Sequence, residues 1–430
     1  MTRSIACISA LLLMVCTIAS TAADGTENPA VMSGQPPLRE SQVTKANWLS
    51  YPYLRWAFNH TSAPLNSLMV PRAGSIRALQ YSKQPLDFVV PQTEKRLPEF
   101  FDDHMADALI VIKGDTVLTE AYFNESTEHY QHIWFSMTKS LVSALFGTVV
   151  AGGNMDVSKS PAFYIPELKD SAFARTNIQH VLDHTSALGF EENYTDLNSD
   201  FQRFYAPALG LTYKRGAADA SPLDTPIYGA FDFLATISAN PELQPGDAFE
   251  YNSSNTDVLG WLIARAENKS LDRVIHDRIW SKIGAEHDAY IAVDRAYMPV
   301  AAGGFNSTLR DAARFALMIR DFGRVGDAQV LPRDWVEEIT NVSAAHEKMM
   351  AENVVYQRAP WQAYHNQWWI LDSDKGEFCA VGIHGQVIYI NRSKHVVAAW
   401  FSSQKHASSM ASKHFMPKLF AVRSLALSID

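Results

Sequence analysis

Two strand-rich stretches on either side of a long helical one predict an α/β chain of the α+β type. Its antiparallel sheet would be flanked by helices, with an all-α subdomain inserted between the strands. Three observations carry this expectation. Residues 108–112 are uninterruptedly apolar, 113–115 read Lys-Gly-Asp, and 116–123 are again β-rich, the signature of two strands around a tight turn. Residues 150–300 carry mostly helical or loop signals instead. Short β-rich runs at 368–371, 378–381, 386–391 and 396–402 then alternate with Asp, Gly and Asn-Arg-Ser-Lys turns, which is a meander pattern.

Taken in chain order, Arg3, an apolar run over 5–18 and small residues over 19–23 predict a secretory signal peptide, 1–23, cut after Ala22 or Ala23. The run is short for a bilayer span, and Val15 stands where a lipid-attachment site at Cys16 would want a small residue. The expectation is an exported protein, periplasmic or secreted, with no integral membrane span once the signal is removed. Residues 24–46, rich in Pro, Ser, Thr and Gly, predict a mobile leader. The catalytic domain follows over 47–430, with the α/β part at about 47–150 and 300–430 and the helical part at about 151–299.

Within that frame, Leu141, Val142, Leu145, Phe146 and Val149 recur at the spacing of one helix face until Gly152-Gly153 breaks the pattern. Helices are expected over 178–184, 228–238, 256–267 and 271–283. Ala312, Phe315, Ala316 and Ile319 predict an amphipathic helix over 308–322 that ends at Gly323, and 410–429 closes the chain as a helix.

Of 430 residues, 47% are hydrophobic and 19% charged, so the chain is globular with ample core. The formal net charge of −9 becomes −10 when Arg3 leaves with the signal, which excludes nucleic acid as a partner. Cys7 and Cys16 leave too, so Cys379 remains alone as a small buried apolar residue and no disulfide forms within the mature chain. His129 and His132 have no nearby acid or Cys to complete a metal site and read as loop residues. The sequence calls for no cofactor and leaves the oligomeric state open.

The chemistry begins at Ser136-Met137-Thr138-Lys139. At i and i+3 of a starting helix, a hydroxyl and an amine share one face, so the amine can take the proton as the oxygen attacks. Backbone N–H groups and the positive end of the macrodipole favour the alkoxide and a neutral lysine. Two further motifs follow in order, Tyr251-Asn252-Ser253 and His384-Gly385-Gln386, the last at the start of an expected strand. Gln244-Pro245-Gly246-Asp247 turns the chain just before Tyr251 and a helix begins just after it, which leaves the phenol on a loop where it can project. Lysine and tyrosine ordinarily titrate near 10.4 and about 10, so one of them must fall by roughly three units to act as a base near neutrality. The sequence leaves open which does. Neither a G-x-S-x-G elbow nor an H-E-x-x-H metal motif occurs.

These motifs together resemble those of the serine β-lactamase and penicillin-binding-protein superfamily, in its class C-type esterase branch. The 6-aminohexanoate-dimer hydrolase group is the nearest likeness within that branch. It is carried by Phe135 to Ser140, Tyr251 to Gly260, Gly303-Gly304-Phe305-Asn306, Arg310 to Phe315 and Gly382 to Gln386, over about 48–402. The resemblance implies a β-lactamase/transpeptidase-like fold with the site in the cleft against the helical part. It also implies Ser136 as nucleophile, Lys139 as its base and Tyr251 as proton shuttle to the leaving group. The backbone N–H groups of Ser136 and Val387 would form the oxyanion hole, Tyr194 would be a mobile tyrosine closing over an amide, and Ser253 would bond substrate or Lys139. His384 stands where penicillin-recognising relatives carry a cationic lysine, and a mostly neutral imidazole is a poor anchor for a substrate carboxylate. The expected substrates are small linear amides or esters. Cell-wall D-alanyl carboxypeptidase, β-lactamase and a non-turnover cell-wall-fragment sensor are the alternatives. Trp368 and Trp369 fall either in the cleft wall or in the core.

Overall fold

Residues 31–194, 196, 198–212, 227–408 and 411–429 are described by the computed structural model. The expected signal over 1–23 lies outside them. Residues 31–46 form turns and a one-turn helix at Arg39–Ser41, and the buried Trp48 donates its indole N–H to Leu211 O at 2.8 Å.

The strands run β1 (Ser67–Val70), β2 (Gln80–Tyr81), β3 (Ala106–Lys113), β4 (Thr116–Tyr122) and β5 (His132–Ile133) before the first long helix, α1 (Met137–Ala151). A helical stretch leads to α2 (Ser254–Glu267), then β6 (Ala289–Ala292), β7 (Phe305–Ser307) and α3 (Leu309–Arg320). A small hairpin, β8 (Arg324–Val325) and β9 (Ala328–Gln329), precedes the meander. The meander comprises β10 (Ala363–His365), β11 (Trp368–Asp372), β12 (Glu377–Gly382), β13 (Gln386–Asn391) and β14 (Val396–Ser402), and α4 (Phe415–Ser428) closes the described chain.

The expected hairpin and meander join in one sheet of order β10-β11-β12-β13-β14-β3-β4-β2, antiparallel except where the short β2 runs parallel to β4. Alternation along β3 shows why it is a strand that reads as uniformly apolar. Ala108, Ile110 and Ile112 pack with Leu141 and Leu145 of α1, while Leu109 and Val111 pack with Phe101, Leu419 and Val422 on the opposite face. Both faces are covered, so every position wants an apolar side chain. Each fully buried Leu or Ile there contributes about 1.5–3 kcal/mol.

A second sheet, β1-β6-β7-β5, was not legible as strands in the sequence. It places the nucleophile's lead-in, because Trp134 N, just past β5, donates to Phe305 O in β7 at 2.8 Å. His132, read above as a loop residue, is instead buried in β5, its Nε2 3.2 Å from Asp107 Oδ2. The helix expected over 308–322 forms as α3, capped by Thr308 Oγ1 accepting from Asp311 N at 3.3 Å and ended at Gly323, whose φ is +82°. Arg314 is fully buried on α3 and pairs with Asp311 at 3.0 Å and Glu286 at 2.6 Å, which gives the Arg310 to Phe315 block a buttressing role.

Candidate active site

Ser136 stands at the N-cap of α1, and its side chain makes no capping bond. The hydroxyl is therefore left for another partner. Phe135, immediately before it, has φ of +46°, a left-handed conformation that costs a bulky residue about 1–3 kcal/mol and turns the chain sharply into the helix. Lys139 is buried one turn along, its Nζ 2.9 Å from Ser136 Oγ, 2.9 Å from Ser253 Oγ and 2.8 Å from Ala302 O. Burial brings its pKa down to about 8, against the opposing charges of Glu192 and Asp257. A lysine in this setting can lose its proton close to neutral pH.

Tyr251 completes the group, its hydroxyl interacting with that of Ser136 and its ring centroid 5.2 Å from Lys139 Nζ. Its ring stacks on Trp369 at 5.5 Å, so Trp369 backs the phenol while Trp368 is buried against Phe378 in the core. Burial and the nearby Glu192 carboxylate push the phenol's pKa well above its usual value. Of the two bases left open by the sequence, the structure thus favours neutral Lys139 over a Tyr251 phenolate.

Ser253 bonds Lys139, one of the two partners expected for it. Two acids that the sequence reading did not single out lie in the same cluster. Asp257, in the first turn of α2, accepts from Ala302 N at 2.9 Å and from Tyr205 OH, and burial raises its pKa to about 6. Glu192 accepts from the backbone N–H of Ser253, from Ser253 Oγ at 2.9 Å and from Tyr194 OH. Tyr194 therefore reaches the site through Glu192, its ring resting edge-on against Phe201 at 4.7 Å. The nearest sequence signal for Glu192 is its place in the same loop as Tyr194. Asn252, the middle of its motif, is structural, its Nδ2 donating to Phe190 O at 2.6 Å.

The third motif occupies the turn between β12 and β13 and the first residue of β13. Val387 lies in β13, an interior strand paired to β12 through Val381 and to β14 through Trp400, and its side chain is in the core. Its backbone belongs to the ladder between those two strands. The turn between β12 and β13 packs against the two residues that precede Ser136. A Cβ on Gly382 would lie 2.3 Å from Trp134 O, and the His384 ring is 5.5 Å from that of Phe135. His384 packs between the rings of Phe58 and Phe135. It is buried, in the left-handed region at φ +60°, with Nδ1 2.6 Å from Gln404 O and its ring edge-on to Phe58. Burial lowers its pKa to about 4, so it is neutral at pH 7. Gln386 fixes the turn through Nε2, 2.6 Å from Ser402 O.

Asp183, His346 and His365 are the described residues whose arrangement could hold a metal, their ligand atoms lying within 4.8 Å of one another. The carboxylate is already occupied by His365 Nδ1 at 2.7 Å, Asn366 N at 3.0 Å and Gln179 Nε2 at 3.0 Å, which makes the group an ion-paired network. An open hollow of about 650 Å³ beside Tyr81, Glu120, Tyr122 and Arg310 lies along the β2–β4 edge, and its lining does not include Ser136 or Lys139.

Residues 97–419 match the beta-lactamase family. The chain is 29% identical over 390 residues to the 6-aminohexanoate-dimer hydrolase of Paenarthrobacter ureafaciens, covering 89% of this chain and 92% of that one. A solved structure from Bacillus anthracis, provisionally assigned as a 6-aminohexanoate-dimer hydrolase, superposes with a TM-score of 0.79 at 28% identity, over 92% of this chain and 100% of that one. A provisionally assigned beta-lactamase of Bacteroides dorei shares the fold, with a TM-score of 0.58 at 19% identity, over 77% of this chain and 96% of that one.

Proposed function

The chain belongs to the beta-lactamase family and is a serine hydrolase, and from that premise we propose that it cleaves small linear amides through an acyl-enzyme on Ser136. The observation that carries this reading is the 2.9 Å contact between Lys139 Nζ and Ser136 Oγ, made by a buried amine. Ser136 Oγ attacks the carbonyl carbon while its proton passes to Lys139 Nζ. The oxyanion is met by the Ser136 amide and by an amide of the 382–384 turn, each donor worth about 3 kcal/mol of barrier. Collapse breaks the C–N bond, Tyr251 OH protonates the departing amine, and the phenol recovers its proton from Lys139. Water then attacks the acyl-enzyme, giving a proton to Lys139, which returns it to Ser136 Oγ as the ester C–O bond breaks and the acid leaves.

The preference for linear amides rests on the absence of an anchoring cation at the third motif, where buried, neutral His384 stands, and on the Glu192 carboxylate, which opposes a substrate carboxylate near Ser253. The 6-aminohexanoate-dimer hydrolase of the relatives is the nearest substrate guide, and short esters are the expected second class. Hydrolysis rates for a 6-aminohexanoate dimer, a short p-nitrophenyl ester and a chromogenic cephalosporin decide the matter. A dominant cephalosporin rate overturns the preference, and failure of a fluorophosphonate to label Ser136 overturns the mechanism.

Export is part of the same proposal, motivated by the signal-like residues 1–23. Among the described residues no helix is long and apolar enough to cross a membrane. The intact mass of the protein from the extracytoplasmic fraction tests it, a mass that retains residues 1–23 counting against.

A further inference from the structure

Glu192 has no task in the mechanism above, yet it touches the catalytic cluster at three points. Ser253 Oγ donates to Glu192 Oε1 at 2.9 Å, Ser253 N donates to Oε2, and Tyr194 OH donates to Oε1. Because the hydroxyl proton of Ser253 is committed to the carboxylate, only a lone pair of that oxygen is left to face Lys139. Lys139 Nζ must therefore donate to Ser253 Oγ at 2.9 Å, and it must also donate to Ala302 O at 2.8 Å, since a carbonyl only accepts. A neutral amine has two N–H bonds and one lone pair. With both N–H bonds assigned, the lone pair points at the remaining neighbour, Ser136 Oγ, 2.9 Å away.

We propose that Glu192 is a positioning residue for acylation: by holding the proton of Ser253, it aims the basic lone pair of Lys139 at the nucleophile. The inference rests on the serine-hydrolase reading. Without the carboxylate, Ser253 O–H is free to rotate and donate to Lys139, which diverts the lone pair from Ser136.

The carboxylate also acts through its charge. Lys139 is faced by Glu192 from the loop, by Asp257 from α2 and by the neutral phenol of Tyr251, with His184 behind it. Glu192 is in turn surrounded by Tyr194, Tyr205, Tyr251, Tyr356 and Tyr364, whose ionisation it disfavours. Its negative charge favours the ammonium form of Lys139, so removing it moves deprotonation to lower pH.

The test is the second-order rate of Ser136 phosphonylation by a fluorophosphonate, followed from mildly acidic to alkaline pH, which needs no knowledge of the natural substrate. For Glu192→Gln the acid limb moves about one pH unit lower and the plateau falls about tenfold or more, with Glu192→Asp recovering part of the plateau. In a Ser253→Ala background, where no hydroxyl proton needs direction, Glu192→Gln loses its effect on the plateau but still moves the limb. Melting temperatures of all variants establish that they are folded. A Glu192→Gln profile that overlays the wild type, or a plateau loss of equal size with and without Ser253, overturns the proposal alone. Absence of labelling in the wild type overturns the serine-hydrolase reading together with it.

Discussion

Lys139 and Asp257 meet through a single residue: Ala302 accepts from Lys139 Nζ at 2.8 Å with its carbonyl and donates to Asp257 Oδ1 at 2.9 Å with its amide. The base is thereby tied to α2 as well as to its own helix. Displacing either partner shifts the amine relative to Ser136, although neither Asp257 nor Ala302 touches the hydroxyl.

Lys139 deprotonates near pH 8, because burial disfavours the ammonium more than Glu192 and Asp257 favour it. The catalytically competent form is the neutral amine, so kcat/KM rises with pH and levels off above about 8. Below that limb it falls about tenfold per pH unit. Lys139→Met removes the limb and lowers the plateau by about 10²–10⁴-fold. A Lys139→Met enzyme that keeps the wild-type limb assigns the titration to another group.

Tyr251→Phe removes the proton donor to the leaving group and leaves the ring stacked on Trp369. For an amide the expected result is about 10²-fold loss in kcat with KM little changed, whereas a p-nitrophenyl ester, whose leaving group needs no proton, loses much less. Steady-state kinetics on the two substrates check this, and equal losses on both contradict the assigned role.

Gly382→Ala puts a methyl 2.3 Å from the Trp134 carbonyl, where backbone and not a flexible side chain must yield. The expected cost is about 1–3 kcal/mol of stability, seen as a lowered Tm, together with reduced kcat as the 382–384 turn moves away from Ser136.

His365 is buried, and although burial disfavours its charged form, Asp183 raises its pKa to about 9, above an ordinary value of 6.5. The folded state binds this proton more tightly than the unfolded chain. Its contribution, about 2–3 kcal/mol at most, is complete below pH 6.5 and is lost as pH rises through about 9. Denaturant titrations across that window show a decline that His365→Gln flattens, and a pH-independent wild type refutes the linkage.

The legible parts of this molecule were those in which neighbours in sequence are neighbours in space. Ser136 and Lys139 share a helix face by spacing alone, β3 and β4 are adjacent around Gly114, and α3 carries its own cap at Thr308. The four-stranded sheet escaped notice because its strands are two to four residues long and scattered from Ser67 to Ser307, too short for a period to register. Glu192 and Asp257 escaped notice because an isolated acid carries no local pattern and their roles arise from distant loops meeting. Val387 was named only by its position after the third motif. The motif straddles a bend with left-handed residues at His384 and Gly385, and the strand after it runs into the sheet interior.

The far end of the catalytic helix is held as firmly as its start. A Cβ on Gly147 would lie 2.3 Å from the Trp335 ring, and the indole of that tryptophan donates to Ser143 O at 2.9 Å. With Ser253, Ala302 and the 382–384 turn, the scaffold around Ser136 thus draws on residues translated long after it. A ribosome that has released only the first half of the chain has made the hydroxyl but none of these supports. The nascent polypeptide carries Ser136 and Lys139 without Ser253 and Ala302, the partners that hold the amine, until those residues have also been made.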